Sequence, residues 1–293
     1  MALNKTALSA HGATALFVLL WSSGAIFARL GLEYASAFAL LVARFALALS
    51  VLLVLAAWRR RWLPPAGTRL QVAAAGLLLT GAYSICYLLA LARGITPGVL
   101  ATVLGVQPIL TLLLVERRVS ARRLAGLAVA LCGLVLVVWQ GIGLARFSPL
   151  GMAFALAALA CMTIGAILQK RIRQAPLDVL PLQYCAGLAL CLLFVPFQPM
   201  AVVPGAGFAL SLAWLALVIS VGATLLLYRL IQAGNLVNVT SLFYLVPGVT
   251  ALLDYLFLGN RLAALSMAGM AAIVLGLLLV FSETASGRDS AQA

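Results

Sequence analysis

The chain has 293 residues, of which 65% are hydrophobic and only 9% charged, with a formal net charge of +13. A soluble domain carries roughly 25% charged residues, and no fold of this length has interior enough to hide so much apolar surface, so lipid must be the solvent for most of the chain. The basic excess by itself would suit nucleic acid, but it falls in clusters at alternate helix ends, where anionic lipid headgroups neutralise it, and this excludes a nucleic-acid partner.

A bilayer core about 30 Å thick takes roughly 20 apolar residues per helical crossing, and ten such segments follow one another along the sequence. They are predicted at Thr14 to Leu30, Ala35 to Ala57, Leu70 to Leu91, Gly98 to Val115 and Leu124 to Trp139, then Leu150 to Leu168, Val179 to Phe197, Gly207 to Leu230, Leu236 to Leu258 and Leu262 to Phe281. Gly94, Pro97 and Gly98 mark a turn before the fourth, and the fifth is brief before Gly141 and Gly143. Ser148 is placed to cap the sixth, with Pro149 suited to its first turn.

Charge asymmetry orients these helices. With a cytoplasmic N-terminus, the inside segments hold Lys5, Arg59, Arg60, Arg61, Arg69, Arg117, Arg118, Arg122, Arg123, Lys170, Arg171, Arg173, Arg229 and Arg288, which is 14 of 19 basic residues. The outside connections hold only Arg29, Arg93, Arg146 and Arg261, and Arg44 lies within a helix. The positive-inside rule then predicts a multi-pass protein of the cytoplasmic (inner) membrane with both termini in the cytoplasm. Nine helices would separate the termini and spoil the alternation. No cleavable signal peptide is expected, because only Lys5 precedes the first helix and Trp21-Ser22-Ser23-Gly24 interrupts its apolar run. Cys86, Cys132, Cys161, Cys185 and Cys191 fall in predicted helices without C-x-x-C spacing and read as packing residues. With His11 the only histidine, neither a metal site nor a cofactor is indicated.

The two halves repeat. Gly24-Ala25-Ile26 recurs as Gly165-Ala166-Ile167, and Gly81-Ala82-Tyr83-Ser84-Ile85-Cys86-Tyr87 recurs as Gly222-Ala223-Thr224-Leu225-Leu226-Leu227-Tyr228, both at an offset of 141. The fourth and ninth helices match around Pro108 and Pro247, and Gly126 and Gly133 match Gly269 and Gly276. The expected fold is all-α: a polytopic membrane protein with ten transmembrane helices in two inverted five-helix repeats, residues 1–140 and 149–283, followed by a short cytoplasmic tail, 284–293. Five is odd, so the sixth helix enters from the side opposite the first and the repeats are inverted. Halves that exchange conformations can face either side of the membrane in turn, which favours a carrier over a gated pore.

Several residues stand out against the apolar background. Gly126, Gly133, Gly269 and Gly276 share helical faces and suit close backbone packing, with substrate contact the alternative. Pro108 and Pro247 sit near mid-membrane, where each removes an N–H donor and frees the carbonyl of Leu104 or Phe243; the bends serve conformational change or a substrate site, whose path Gln107 and Tyr244 would help line, or packing alone. Arg44, well inside the second helix, must face water, the bundle interior or an anion, and its fork of donors suits a carboxylate. Asp254 reads as a countercharge to Arg44, a proton-coupling group, or a polar residue reaching outer water. Trp21, Ser22, Ser23, Tyr83, Tyr87, Gln183 and Tyr228 supply aromatic faces and hydrogen-bonding groups for a substrate path, or anchor and pack the helices.

With Trp21-Ser22-Ser23-Gly24, Arg44-Phe45, Gln107-Pro108 and Glu116-Arg117 in the first half, and Val246-Pro247, Leu256-Phe257-Leu258-Gly259 and Gly269 to Gly276 in the second, the chain resembles the EamA-type members of the drug/metabolite transporter superfamily over nearly its whole length. The resemblance implies a small-metabolite transporter, often an exporter of amino acids or related compounds, with a cavity between inverted halves. It places Trp21, Arg44 and polar or aromatic residues of the third, fourth, eighth and ninth helices among the cavity candidates. Two departures stand out: Asn260 replaces the usual Glu after the ninth helix, and the stretch from Pro108 to Glu116 is about one turn short. The sequence shows no convergent nucleophile and base, paired carboxylates or metal ligands, so no enzyme is expected. An intramembrane enzyme, or a receptor or assembly factor, stays as the alternative to alternating-access export.

Overall fold

Helices are found wherever a crossing is predicted in the computed structural model, which describes residues 2–116, 119–143, 148–258 and 263–289. Among the described residues ten helical spans are long and apolar enough to cross a membrane: Gly12–Leu32, Ala37–Arg59, Ala66–Ala92, Pro97–Val115 and Ala121–Trp139, then Pro149–Arg171, Pro176–Phe197, Ala206–Ala233, Leu236–Leu253 and Ala264–Ser282. They are numbered here in that order. Most ends lie within three residues of the predicted ones. The fifth helix runs through Gly141 to Gly143 rather than stopping before them, since a glycine inside a helix costs only about 1 kcal/mol.

Local chemistry sets the boundaries. Thr96 Oγ1 accepts from the Val99 N–H at the start of the fourth span, with Pro97 in its first turn. Ser148 Oγ accepts from the Gly151 N–H ahead of the sixth, and Asn235 Oδ1 accepts from Val237 and Asn238 at the start of the ninth. Each cap satisfies N–H groups that the first helical turn leaves free. One contact between non-helical segments interrupts the all-α pattern: Ala35 and Val202 form an isolated antiparallel bridge, flanked by Ser36 Oγ donating to the Pro199 carbonyl at 2.7 Å.

Four spans are irregular, at matching places in the two halves. The third contains a π-helical stretch, Leu77–Ala82, and the eighth another, Trp214–Ala223. The two stretches end 141 residues apart, at the offset of the sequence repeat. The fourth span breaks between Leu104 and Gln107, with Pro108 in the first turn of its second piece. The ninth passes through a 3-10 turn, Leu242–Tyr244, before the helix Leu245–Leu258 that carries Pro247. A proline in a first turn loses an N–H that would be unpaired anyway, so the chain breaks just ahead of each proline instead of kinking at it.

The helices segregate into two compact units, one running through Leu88 and again over Ile164–Ala233, the other over Leu89–Thr163 and from Gly234 onward. Each takes helices from both halves of the sequence. In the first unit the second span packs against the seventh and eighth, the first against the eighth, and the third against the seventh. Gly76 lets the third span approach the Gln183 backbone, and Gly81 meets Gly187. Lys170 Nζ donates to the Ile231 and Gln232 carbonyls at 2.6 and 3.1 Å, while Gln232 Nε2 donates to those of Ile172 and Gln174, so the ends of the sixth and eighth spans clasp each other. Large apolar side chains such as Leu53, Val54 and Leu193 lie on the exposed faces, as lipid requires.

In the second unit the fifth and tenth spans form the most extensive helix pair. Their closest approach is at Gly126 beside Gly276 and Gly133 beside Gly269, above a core of Leu112, Leu127, Leu134, Tyr244 and Ile273. A charged cluster ties the end of the fourth span to the start of the ninth. Arg123 Nη1 donates to both carboxylate oxygens of Glu116, and its Nη2 reaches Asn235 Oδ1 and Asn238 Oδ1, each at 3.2 Å. Asn235 Nδ2 closes the ring on Glu116 at 3.1 Å. Side-chain exposure is only 9% for Arg123 and 18% for Glu116, so removing one partner leaves a largely desolvated charge. We expect Glu116→Gln to lower unfolding stability by about 2 kcal/mol, measured by denaturation in detergent, with part of the loss recovered in the E116Q/R123Q double variant. A wild-type midpoint for E116Q would remove this cluster from the forces that hold the fold.

Candidate functional site

The polar centre of the first unit is built around Arg44. This residue lies seven positions beyond the start of the second span, about 10 Å along the helix axis at 1.5 Å per residue. Its Nε donates to Ser220 Oγ at 2.6 Å. That is the one hydrogen bond its guanidinium makes to the described residues, and no described carboxylate pairs with it. Among the described residues, neither terminal Nη group has a partner.

Ser220 is positioned by the π-helical stretch of the eighth span. A π-turn is one residue wider than an α-turn and loosens the regular ladder of backbone bonds, and side chains take up the acceptors here. Tyr184 donates its hydroxyl to the Ser220 carbonyl at 2.7 Å, and Thr224 Oγ1 donates to the Ile219 carbonyl at 3.1 Å. The Tyr184 ring meets Phe45 edge-on, with centroids 5.5 Å apart. Arg44-Phe45 thus presents two successive residues to the same pair of partners, the cation to Ser220 and the ring to Tyr184. Tyr83 and Tyr184 both lie within electrostatic reach of the Arg44 guanidinium, and Tyr83 lies against Tyr87 with ring centroids 5.9 Å apart. Tyr228 is buried near Thr80 and Tyr184. The arrangement is a cation whose forked donors meet no described carboxylate, set among phenol rings and suited to hold a carboxylate with an apolar or aromatic body beside it.

Other predicted residues fall elsewhere. Trp21 is half-buried with its ring 5.4 Å from that of Phe17. Ser22 donates to the Val18 carbonyl of its own helix, and Ser23 Oγ accepts from Trp214 Nε1 at 3.0 Å. Gln183 is fully buried and donates from Nε2 to Gln169 Oε1 at 2.7 Å, leaving Gln183 Oε1 and Gln169 Nε2 without partners. In the second unit Gln107 and Pro108 are buried at the break of the fourth span. Tyr244 is 1% exposed and donates its hydroxyl to the Gly105 carbonyl at 2.6 Å, so it satisfies an acceptor one residue beyond the expected Leu104. Pro247 is half-buried. Asp254 lies on the helix Leu245–Leu258, but its side chain falls outside the described residues, as do Arg117, Arg118, Gly259 and Asn260.

Ser220 and Tyr184 belong to this constellation without having been singled out from the sequence. Ser220 carried the clearest signal, as a lone hydroxyl within the apolar run Trp214–Ala223 and two residues before the repeated Gly222. Among the described residues no cluster of His, Cys, Asp or Glu is arranged to hold a metal ion.

Ten helices long and apolar enough to cross a membrane among the described residues define a multi-pass α-helical membrane protein. A model of the EamA-like transporter family matches residues 8–139 and again 149–282, and the chain belongs to that family. Its general function is therefore transport across a membrane, not catalysis. A solved structure described only as a crystal structure of a protein superposes with a TM-score of 0.77 at 23% sequence identity, over 92% of this chain and 96% of its own, a likeness in fold. No curated protein matches the chain.

Proposed function

We propose that this chain is an alternating-access exporter of small polar or amphipathic metabolites that carry a carboxylate, such as amino acids or related compounds, with Arg44 as the group that receives the anion. The observation that carries this reading is the Arg44 guanidinium, fixed by Ser220 through Nε and free of any described carboxylate at its Nη groups. An arginine inside a membrane span is costly unless its charge is used. The family match in two successive segments supports two five-helix repeats, and their odd helix number makes them inverted, as alternating access requires. The π-helical stretches and the broken fourth and ninth spans supply deformable regions at matching positions. The 14 to 4 distribution of basic residues supports an inner-membrane protein with both termini in the cytoplasm.

The test is flux in sealed proteoliposomes loaded with amino acids and related carboxylates, measured with and without a proton gradient. Saturable counterflow of at least one carboxylate-bearing solute is the expected result, and a dependence of its rate on the gradient would establish proton coupling. Correctly folded protein that moves none of them, yet moves neutral or cationic solutes saturably, would overturn the anion assignment.

A further inference from the structure

The connection between the second and third spans is built in a way that packing alone does not require. The second helix ends at Arg60, whose backbone is left-handed (φ 53°, ψ 34°) and whose N–H bonds back to the carbonyls of the last turn. Arg60 is the one described non-glycine residue with positive φ, in a position where glycine is the unstrained choice. The arginine side chain there is exposed and pairs with no described acid. Its neighbours are both drawn to one carboxylate: Arg59 Nη1 lies 2.8 Å from Asp178 Oδ1, and Arg61 Nη1 lies 3.4 Å from Asp178 Oδ2. One acid shared by two arginines leaves the group net positive. The loop itself is pinned, because Arg69 Nε donates to the Pro64 carbonyl at 3.0 Å and Thr68 Oγ1 to that of Pro65 at 2.9 Å.

Here the structure opens a pocket of about 400 Å³ whose lining combines Arg60, Arg61 and Asp178 with the apolar Trp62, Leu63, Pro64 and Pro65 and with Gln174. Trp62 and Leu63 are 54% and 52% exposed, and Trp58, one turn back on the helix, is 83% exposed. These are large apolar residues at the end of a membrane span, in the position of an interfacial aromatic belt. We propose that this pocket binds an anionic phospholipid, its phosphate between Arg60 and Arg61 and its glycerol and upper acyl carbons along Trp62 and Leu63. The mixed cationic and apolar lining distinguishes a lipid from a soluble phosphate, for which the apolar residues would offer nothing. Asp178 is the positioning residue: it holds Arg59 and Arg61 in place and keeps the site from being a diffuse basic patch.

Delipidated full-length protein in detergent, titrated with phosphatidylglycerol or phosphatidylcholine and read by native mass spectrometry, tests the site. Phosphatidylglycerol is expected to be retained, with retention about tenfold weaker in R60N/R61Q; asparagine keeps the left-handed backbone accessible. Phosphatidylcholine should show no such difference, and Arg122→Gln, which removes an exposed basic residue from the first turn of the fifth helix, should behave as wild type. Equal phosphatidylglycerol retention by wild type and R60N/R61Q overturns the proposal, and so does an equal loss in R122Q. Displacement of the lipid by millimolar inorganic phosphate would reassign the pocket to a free anion. If R60N/R61Q does not fold, W62S/L63S alters only exposed side chains, and undiminished phosphatidylglycerol retention by that variant is likewise decisive against a lipid.

Discussion

Replacing Gly133 by valine is expected to destabilise the protein by about 3 kcal/mol or more, read as the shift in its unfolding midpoint in mixed detergent micelles. A Cβ at Gly133 would lie 2.6 Å from the Gly269 carbonyl oxygen and 2.8 Å from the Ile273 nitrogen. Both are backbone atoms of the tenth span and cannot rotate away. The pair is reciprocal, since a Cβ at Gly269 would meet the Gly133 oxygen at 2.6 Å, and Gly126 and Gly276 repeat the arrangement two turns along. Relief requires the two helices to move apart, and rigid helices that separate at one crossing lose contact at the other. In lipid, where no hydrophobic gain drives helices together, that contact is most of what holds the pair. Gly222→Ala is the matched control: its Cβ would meet only the Leu217 oxygen at 3.6 Å, so wild-type or slightly higher stability is expected from the better helix former. Wild-type stability of Gly133→Val would show that the fifth and tenth spans are not held by this close approach.

Gly222 also marks how far the sequence could be read. It repeats Gly81 at the same offset, yet Gly81 lies against Gly187 of the seventh span while Gly222 meets, among the described residues, only the Leu217 carbonyl of its own span. Repetition records a shared local conformation, here the π-helical stretches that end at Ala82 and Ala223, but not what each copy touches. The ten spans were legible because the apolar length needed to cross a bilayer is written in composition, and the caps at Ser148 and the turn at Pro97 are short-range chemistry. The breaks ahead of Pro108 and Pro247 were legible in place but not in form, since the partner of the freed backbone, Tyr244 on Gly105, is 139 residues away. The same limit applied to the site. Arg44 declared itself as a charge within a hydrophobic helix, whereas Ser220 and Tyr184, 176 residues distant and on the neighbouring seventh span, became its surroundings only through helix packing. Nor does sequence order disclose that each compact unit draws helices from both halves.

Arg44→Ala is expected to lower the transport efficiency for a carboxylate substrate by roughly 100-fold, because charge-assisted hydrogen bonds are worth about 1.5–3 kcal/mol each. Arg44→Lys should restore only part of the loss: an ammonium keeps the charge but lacks the planar fork, and one guanidinium N–H is already committed to Ser220. Ser220→Ala separates orientation from charge. It leaves the cation intact but removes the anchor of Nε, and roughly a fivefold rise in KM with little change in maximal rate is expected, the worth of about one hydrogen bond. All three variants should be compared in proteoliposomes at matched amounts of monodisperse protein, with the substrate and with an analogue in which an amide replaces the carboxylate. The defect of Arg44→Ala should shrink to a few-fold for the amide, since the interaction lost is with the anion. If Arg44→Ala and wild type transport the carboxylate equally, or if the defect is the same for carboxylate and amide, Arg44 does not receive the anion, and the Arg44–Ser220 bond is then a packing device between the second and eighth spans.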